Sequence, residues 1–333
     1  MSDFNYLGLI LNKTGSFEKA KQKQISNATK ALYDVLKKGR MQNLSIKCQL
    51  DLFDKIVQPI LLYGCELFGF SNVAKIERIH LKFCKLLLHL KQSTPDFMVY
   101  GELGRHPLHI QIQTRIISYW TKLITGKETK IAHLLYKLSH NINEDNGKFG
   151  WIQNVRNILN KCGLTNIWQN QFSSALINIK WIKAKVKLTL IDQFKQSWYS
   201  NLDNSPKALN YRIYKHELKF ENYLDILTKK DAITLCKFRT CNTYLPIETG
   251  RWENISRENR ICQKCNLNDI GDEFHYILNC STLKEERKNC LKNKHIRNRN
   301  LISFEEVMSS KKPSFLRKLC TFFRKINLLY YPN

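Results

Sequence analysis

With 333 residues, 43% of them hydrophobic and 11% aromatic, the chain has enough apolar material to fill one or two packed cores, which excludes wholesale disorder. Lys and Arg number 54 against 28 Asp and Glu. The resulting net charge of +26 sets up a positive potential over much of the surface and draws polyanions at long range.

Eleven cysteines leave an odd thiol in any pairing scheme. The opening stretch MSDFNYLGLILNKTGSF lacks the basic start and long apolar run of a secretory signal. Apolar runs such as Ile60-Leu61-Leu62-Tyr63 are far too short to cross a bilayer. An intracellular, reducing setting (cytoplasm, nucleus or both) is therefore expected, without a disulfide framework and without a membrane partner. Cys84 and Cys236, set among apolar residues at helical spacing, read as small buried hydrophobes.

In chain order, the first element is strand-like, YLGLIL at 6–11. Phe17, Ala20, Ile25, Ala28, Leu32, Val35 and Leu36 then mark an amphipathic helix that the spacing ends near Gly39. Leu50, Phe53, Ile56, Val57 and Ile60 mark a second, reaching Tyr63-Gly64. A third runs from Val73 to Leu90, with Lys75, Arg78, Lys82 and Lys85 at its outward positions, so that one face reads as basic. After Pro95, Gly101 and Gly104 the pattern resumes from Ile110 to Ile124 and stops at Gly126. The polar NINEDNGKFG at 141–150 reads as a linker. Helical patterns follow over 151–162, 166–200, 206–218 and 229–241, and a charged helix with a basic tail follows Cys280. The expected class is all-α.

The chemistry-bearing stretch is CQKCNLNDIGDEFHYILNC at 262–280, a C-x2-C-x9-H-x4-C pattern. Tetrahedral zinc takes four ligands from thiolate sulfur and imidazole nitrogen, and the Cys262/Cys265 spacing lets one tight turn present two sulfurs. His275 and Cys280 would close the site. Three thiolates fill the tetrahedron and weaken the ion as a Lewis acid, so the expectation is a structural Zn²⁺ rather than a catalytic one. The alternative is four unrelated groups in a helical core. Asp272 and Glu273 read as solvated loop carboxylates. Arg251, Trp252, Arg257, Arg260 and Lys264 approach the first ligands, and Phe274 and Tyr276 flank the histidine. The cations suit phosphate and the rings suit unpaired bases, with Tyr276 expected partly exposed and Phe274 buried. Nucleic acid, RNA or DNA, is the expected partner; a basic protein kept soluble by charge, or one touching anionic lipid, is the alternative.

Gly-rich phosphate loops and Gly-x-Ser-x-Gly elbows are absent. His106 and His109 straddle Pro107 and read as a helix start, with a metal pair as the alternative. Glu66 in YGCELFG and Glu102 in YGELGR each read as ordering a turn or pairing with Arg or Lys.

Taken together, FNYLGLILNKTGSF, KIVQPILLYGCELFGF, IERIHLKFCKLLLHLKQSTPDFMVYGELGRHPL and the terminal Cys/His pattern resemble the carboxyl-terminal part of non-LTR (LINE-type) retrotransposon reverse transcriptase polyproteins. That resemblance implies a palm-end remnant at 1–14 carrying Tyr6-Leu7-Gly8, and a thumb-like helical domain at 15–140. A helical connector at 141–245, a CCHC zinc-knuckle region at 246–290 and a basic helical tail at 291–333 would follow. It also places Lys75, Arg78, Lys82 and Lys85 toward template and primer, and Cys262, Cys265, His275 and Cys280 as metal ligands. The family's polymerase needs an Asp-Asp turn before the YLG element, and this sequence contains no Asp-Asp pair. The implied function is a zinc-stapled, nucleic-acid-binding reverse-transcriptase fragment without polymerase activity. Its rival is an inactive relic or recruited helical interaction module, self-associating through exposed thumb surface.

Overall fold

The computed structural model describes residues 3–70, 73–146, 150–173 and 178–330, and helices dominate them, as the apolar spacing expects. The chain forms two compact units, each assembled from separated stretches. Met1–Lys37, Asp51–His80 and His106–Gln196 make the first; Lys38–Leu50, Leu81–Arg105 and Ser197–Asn333 make the second.

In the first unit, the expected single strand is a hairpin. Strand β1 (Asp3–Tyr6) pairs antiparallel with β2 (Leu9–Asn12). Leu7 and Gly8 between them both take positive φ, 48° and 85°, the two-residue turn whose twist matches a hairpin. Glycine meets that demand at no steric cost, and the Leu7 carbonyl accepts a hydrogen bond from the Tyr63 hydroxyl. Helix α1 (Glu18–Met41) buries Ala20, Ala28, Leu32 and Val35. It runs past Gly39, where the sequence suggested a stop, and its last four residues, with Gln49, belong to the second unit. The missing Cβ there makes room for the buried Gln49 side chain, whose amide would collide with any side chain at that position.

The next helical stretch, 46–61, contains one wide π-type turn at Phe53–Val57. Pro59 follows two residues after it, and the widened turn accommodates a residue that has no N–H to give the ladder. Helix α2 (Ala74–Leu87) carries Glu77, whose carboxylate accepts the Leu108 N–H at 2.6 Å. That bond caps α3 (Leu108–Ile124), so the Pro107 region is a helix start, as the sequence indicated. Helix α4 (Ile131–Asn146) extends through the first six residues of the expected linker; 147–149 lie outside the described residues, and α5 (Gly150–Lys161) begins at once. Trp120, Tyr136, Gln171 and His140 form a buried hydrogen-bonded chain across this core. Helix α6 (Ile179–Asn204) begins in this unit.

The second unit is organised around a buried ion cluster. Glu102 on the helix Asp96–Leu103 is fully buried, and Arg239 on α7 (Lys229–Arg239) grips it through Nε and Nη2 at 3.0 and 3.1 Å. Arg239 also reaches Glu221 at 3.3 Å and the Met308 carbonyl at 2.8 Å. Lys215 pairs with Glu221, and the Tyr223 hydroxyl donates to Glu102. Glu102 is thus a structural partner of Arg. The expected basic tail is a core helix, α8 (Pro313–Leu328): Leu316, Leu319, Cys320, Phe322, Phe323 and Ile326 are buried, and Phe323 stacks on Phe238 of α7 with centroids 4.0 Å apart. Its cations occupy the other face.

Breaking the central pair should be costly, because one charge would stay buried without its partner. Arg239→Met is expected to lose about 3–5 kcal/mol in urea unfolding. Burial alone would raise the Glu102 carboxyl, but Arg239 and Lys215 outweigh it and hold it below its usual value. Stability from ionised Glu102 is therefore complete at neutral pH and drains as pH falls through that lowered value. Glu102→Gln should flatten the acid limb of a stability-versus-pH curve.

Candidate metal centre

One ligand atom from each of Cys262, Cys265, His275 and Cys280 lies within 4.8 Å of the others. Short-range pairing builds the first half of the site. The Cys262 N–H donates to the Asp269 carbonyl at 2.9 Å and the Gly271 N–H to the Arg260 carbonyl at 2.8 Å, closing a ribbon around Ile261 and Ile270. The Lys264 N–H donates to Cys262 Sγ at 3.4 Å, as a tight Cys-x2-Cys turn allows. The second half depends on helix geometry. Residues five apart in an α-helix point about 140° away from each other. His275–Asn279 is instead a π-type turn, and the Cys280 N–H donates to the His275 carbonyl at 2.8 Å. The wider turn returns Cys280 to the side that His275 occupies.

Surrounding groups fix the donors. His275 Nδ1 meets Asp269 Oδ2 at 3.1 Å, which leaves Nε2 facing Cys265 Sγ at 3.4 Å. Burial lowers the His275 pKa against the pull of Asp269, so the ring is held in its neutral, ligating form. Burial alone would raise the Cys262 thiol, but donors from Tyr276 and Lys264 outweigh it and hold it below the ordinary value. Cys280 is pushed up to about 12 by burial and by the neighbouring Cys262 charge. Arg287, itself buried, donates to the carbonyls of Ile277 and Cys280 at 2.9 and 2.6 Å and locks the π-type turn from beneath. The donor set, three sulfurs and an imidazole of which only Cys265 is half-exposed, suits a tetrahedral soft or borderline cation.

Several neighbours differ from expectation. Tyr276 is fully buried, because its hydroxyl donates to Cys262 Sγ at 3.0 Å and bonds Tyr330 in the turn that follows α8. Phe274 is the half-buried ring, edge-on to Phe304 at 5.5 Å. Asp272 and Glu273 are buried rather than solvated. Asp272 accepts the His275 N–H at 3.0 Å and pairs with Arg257 at 3.2 Å. Glu273 accepts from Asn210 at 2.8 Å, and burial pushes its carboxyl up to about 7.

The expected phosphate-binding cations divide in the same way. Arg251 pairs with Glu248 at 3.4 Å. Arg260 is a strut: its guanidinium donates to the Ile255 and Ile247 carbonyls, and its stem fills the space that a side chain at Gly250 would need. Lys264 is exposed, its Nζ 5.3 Å from the Tyr330 ring. On α2, Arg78 is exposed, Lys75 is exposed beside Glu18 at 3.6 Å, and Lys82 is half-buried. Lys85 is not outward. It is 6% exposed, paired with Asp96 at 2.7 Å and bonded to the Gln92 carbonyl, because the chain folds back over that turn. Trp252 is half-exposed, and Lys91 Nζ sits 4.0 Å over its ring.

Asp269, Arg287 and Tyr330 complete the centre and carried no signal at the sequence level. All eleven cysteines are unpaired, and Cys84 and Cys236 are fully buried. Among the described residues no helix is long and apolar enough to cross a membrane. The class that fold and site define is a mostly helical protein with one short hairpin and a Cys₃His cluster. Comparison of the chain with protein-family models, curated proteins and solved structures finds no match in any of the three.

Cys265→Ser should abolish metal content and raise amide exchange across 251–290, whereas Cys84→Ser should leave bound metal unchanged; elemental analysis with hydrogen exchange reads both. Asp269→Asn keeps all four ligands and is expected to weaken metal affinity about 10–100-fold.

Proposed function

We propose that the chain is a zinc-stapled helical module that binds single-stranded or structured nucleic acid, has no polymerase activity of its own, and corresponds to the carboxyl-terminal part of a non-LTR retrotransposon reverse transcriptase. The observation that carries the proposal is the Cys₃His cluster set in a chain of net charge +26. Zinc fits the donors. With Zn–S of about 2.3 Å and Zn–N of about 2.0 Å, tetrahedral ligands lie about 3.5–3.8 Å apart. The Cys265–His275 separation of 3.4 Å already approaches that. With all four positions taken by protein, the ion would act as a staple holding 260–283 against the last helix, and its binding free energy would be folding free energy.

The charge supports a polyanionic partner. Acidic residues compensate only about half of the cations, and several that remain, such as Arg78 and Lys264, are exposed. A second reading, a protein-interaction module, is favoured by one observation: Ile131, Leu134, Leu135 and Leu138 form a row on α4 that is 51–74% exposed.

The test is zinc stoichiometry on purified protein followed by titration with single-stranded RNA at 50 and 200 mM salt. One zinc per chain is expected. Four phosphate contacts to a single strand would give a log–log slope near −3, and a loss of about 60-fold between the two salts. Zinc without salt-steep binding would favour the interaction module. Absence of zinc would overturn the staple.

A further inference from the structure

The first unit contains a groove of about 620 Å³ that belongs to neither the metal centre nor the basic face of α2. One wall is the start of α3 and the two residues before it, with His106, Ile110, Gln111 and Arg115; the other is α6, with Lys187 and Ile191. Lys180, Lys183, Lys187 and Ile191 recur at steps of three, four and four residues, so they share one face of α6. A row of cations thus leads along α6 to the groove. Lys180 and Lys187 are exposed, Lys183 is half-buried, and none of the three has an ion pair among the described residues. The nearest acid on the helix, Asp192, lies about 140° around from Lys187 and faces elsewhere.

The opposite wall supplies a positioned guanidinium. Arg115 Nη1 is tied to the Leu62 carbonyl at 3.0 Å, which holds the group in place while the residue stays exposed. Its fork has further donors for a planar or tetrahedral anion. Past Arg115, Lys122 lines an adjoining depression of about 240 Å³ that also contains Glu66. The positive end of the α6 dipole adds to the field at Lys180, and Trp181 beside it is 51% exposed. The α2 face offers less, since Lys85 is buried in an ion pair and Lys75 lies near Glu18.

We propose that this groove between α3 and α6 is the track for the sugar–phosphate backbone of a single-stranded nucleic acid, with Lys180, Lys183 and Lys187 on one side and Arg115 on the other. The assignment rests on the nucleic-acid reading and names its contact face. An elongated polyanion fits a cation row about 10 Å long (seven residues at 1.5 Å) better than a compact anion does.

The experiment is fluorescence anisotropy of a labelled 20-nucleotide single strand with the zinc-loaded full chain across a salt series. Lys180→Gln/Lys183→Gln/Lys187→Gln is compared with a charge-matched control, Lys292→Gln/Lys311→Gln/Lys312→Gln, also at exposed positions. The groove variant should weaken binding on the order of 10–100-fold and reduce the log–log slope by about 2, while the control stays near wild type. Equal loss in the two variants would overturn the groove and leave the nucleic-acid reading standing. No binding by wild type would overturn both. Displacement of the strand by polyglutamate at matched charge concentration would overturn nucleic acid as the occupant. A photoreactive side chain at the exposed Gln111, in an otherwise unaltered chain, provides a readout independent of variant folding: crosslinking to the strand is expected, and its absence at saturation would overturn the track.

Discussion

Three cysteine sulfurs and an imidazole nitrogen within 4.8 Å of one another cannot all be in ligand form without a cation between them. Like charges at that separation in a part-buried site repel, and the repulsion must be relieved by protons or by metal. The second unit's carboxyl-terminal half answers to that constraint. Tyr276 and the Lys264 N–H favour one thiolate, Asp269 orients the imidazole, and Arg287 braces the turn that brings Cys280 back. The Tyr276–Tyr330 bond extends the same assembly to the last helix. The 262–283 stretch, whose Ile277, Leu278 and Leu283 are buried, is therefore held by polar contacts from several directions as well.

Both units contain polar cores. Trp120, Tyr136, Gln171 and His140 in the first, and Glu102, Arg239, Glu221 and Lys215 in the second, are connected sets with few loose ends. In the second set two acids face two bases, so the interior stays neutral although the chain is far from it. Such sets add less to net stability than apolar packing of equal volume, but they tolerate few alternative arrangements. They join segments far apart in sequence: Glu102 lies 137 residues from Arg239. This pairing holds a discontinuous unit together where no local pattern could.

Helices were legible because apolar residues recur at 3.6 spacing, and the gathering of Cys262, Cys265, His275 and Cys280 was legible because C-x2-C-x9-H-x4-C is a compact chemical signature. What escaped reading has physical causes. Gly39 looks like a helix stop, yet it is kept for the space Gln49 needs. Leu7-Gly8 folds one apparent strand into two, since a pair of positive φ values cannot be read from an apolar run. Lys85 sits at an outward position of an isolated helix and becomes inward only because 92–96 crosses it. Arg260 and Asp272 look like surface charges, and the Ile247 carbonyl that holds the first and the Arg257 guanidinium that pairs with the second are tertiary facts. The Lys180, Lys183 and Lys187 row was available as spacing alone. Its groove needed α3, more than sixty residues earlier.

A net charge of +26 does not make every cation a contact. Arg239, Arg287, Arg260, Lys215 and Lys85 each hold carbonyls or carboxylates of their own chain, and their loss would disturb folding before binding. What attracts a polyanion is the remainder, and its effect depends on arrangement. Scattered exposed lysines raise a diffuse field that salt screens within about 8–10 Å. A row along one helix that leads to a groove with a fixed guanidinium on its other wall would give successive phosphates successive partners, and so would convert the same charge into position. Composition alone therefore points to a class of partner, and only the side chains left over after folding can say where that partner lies.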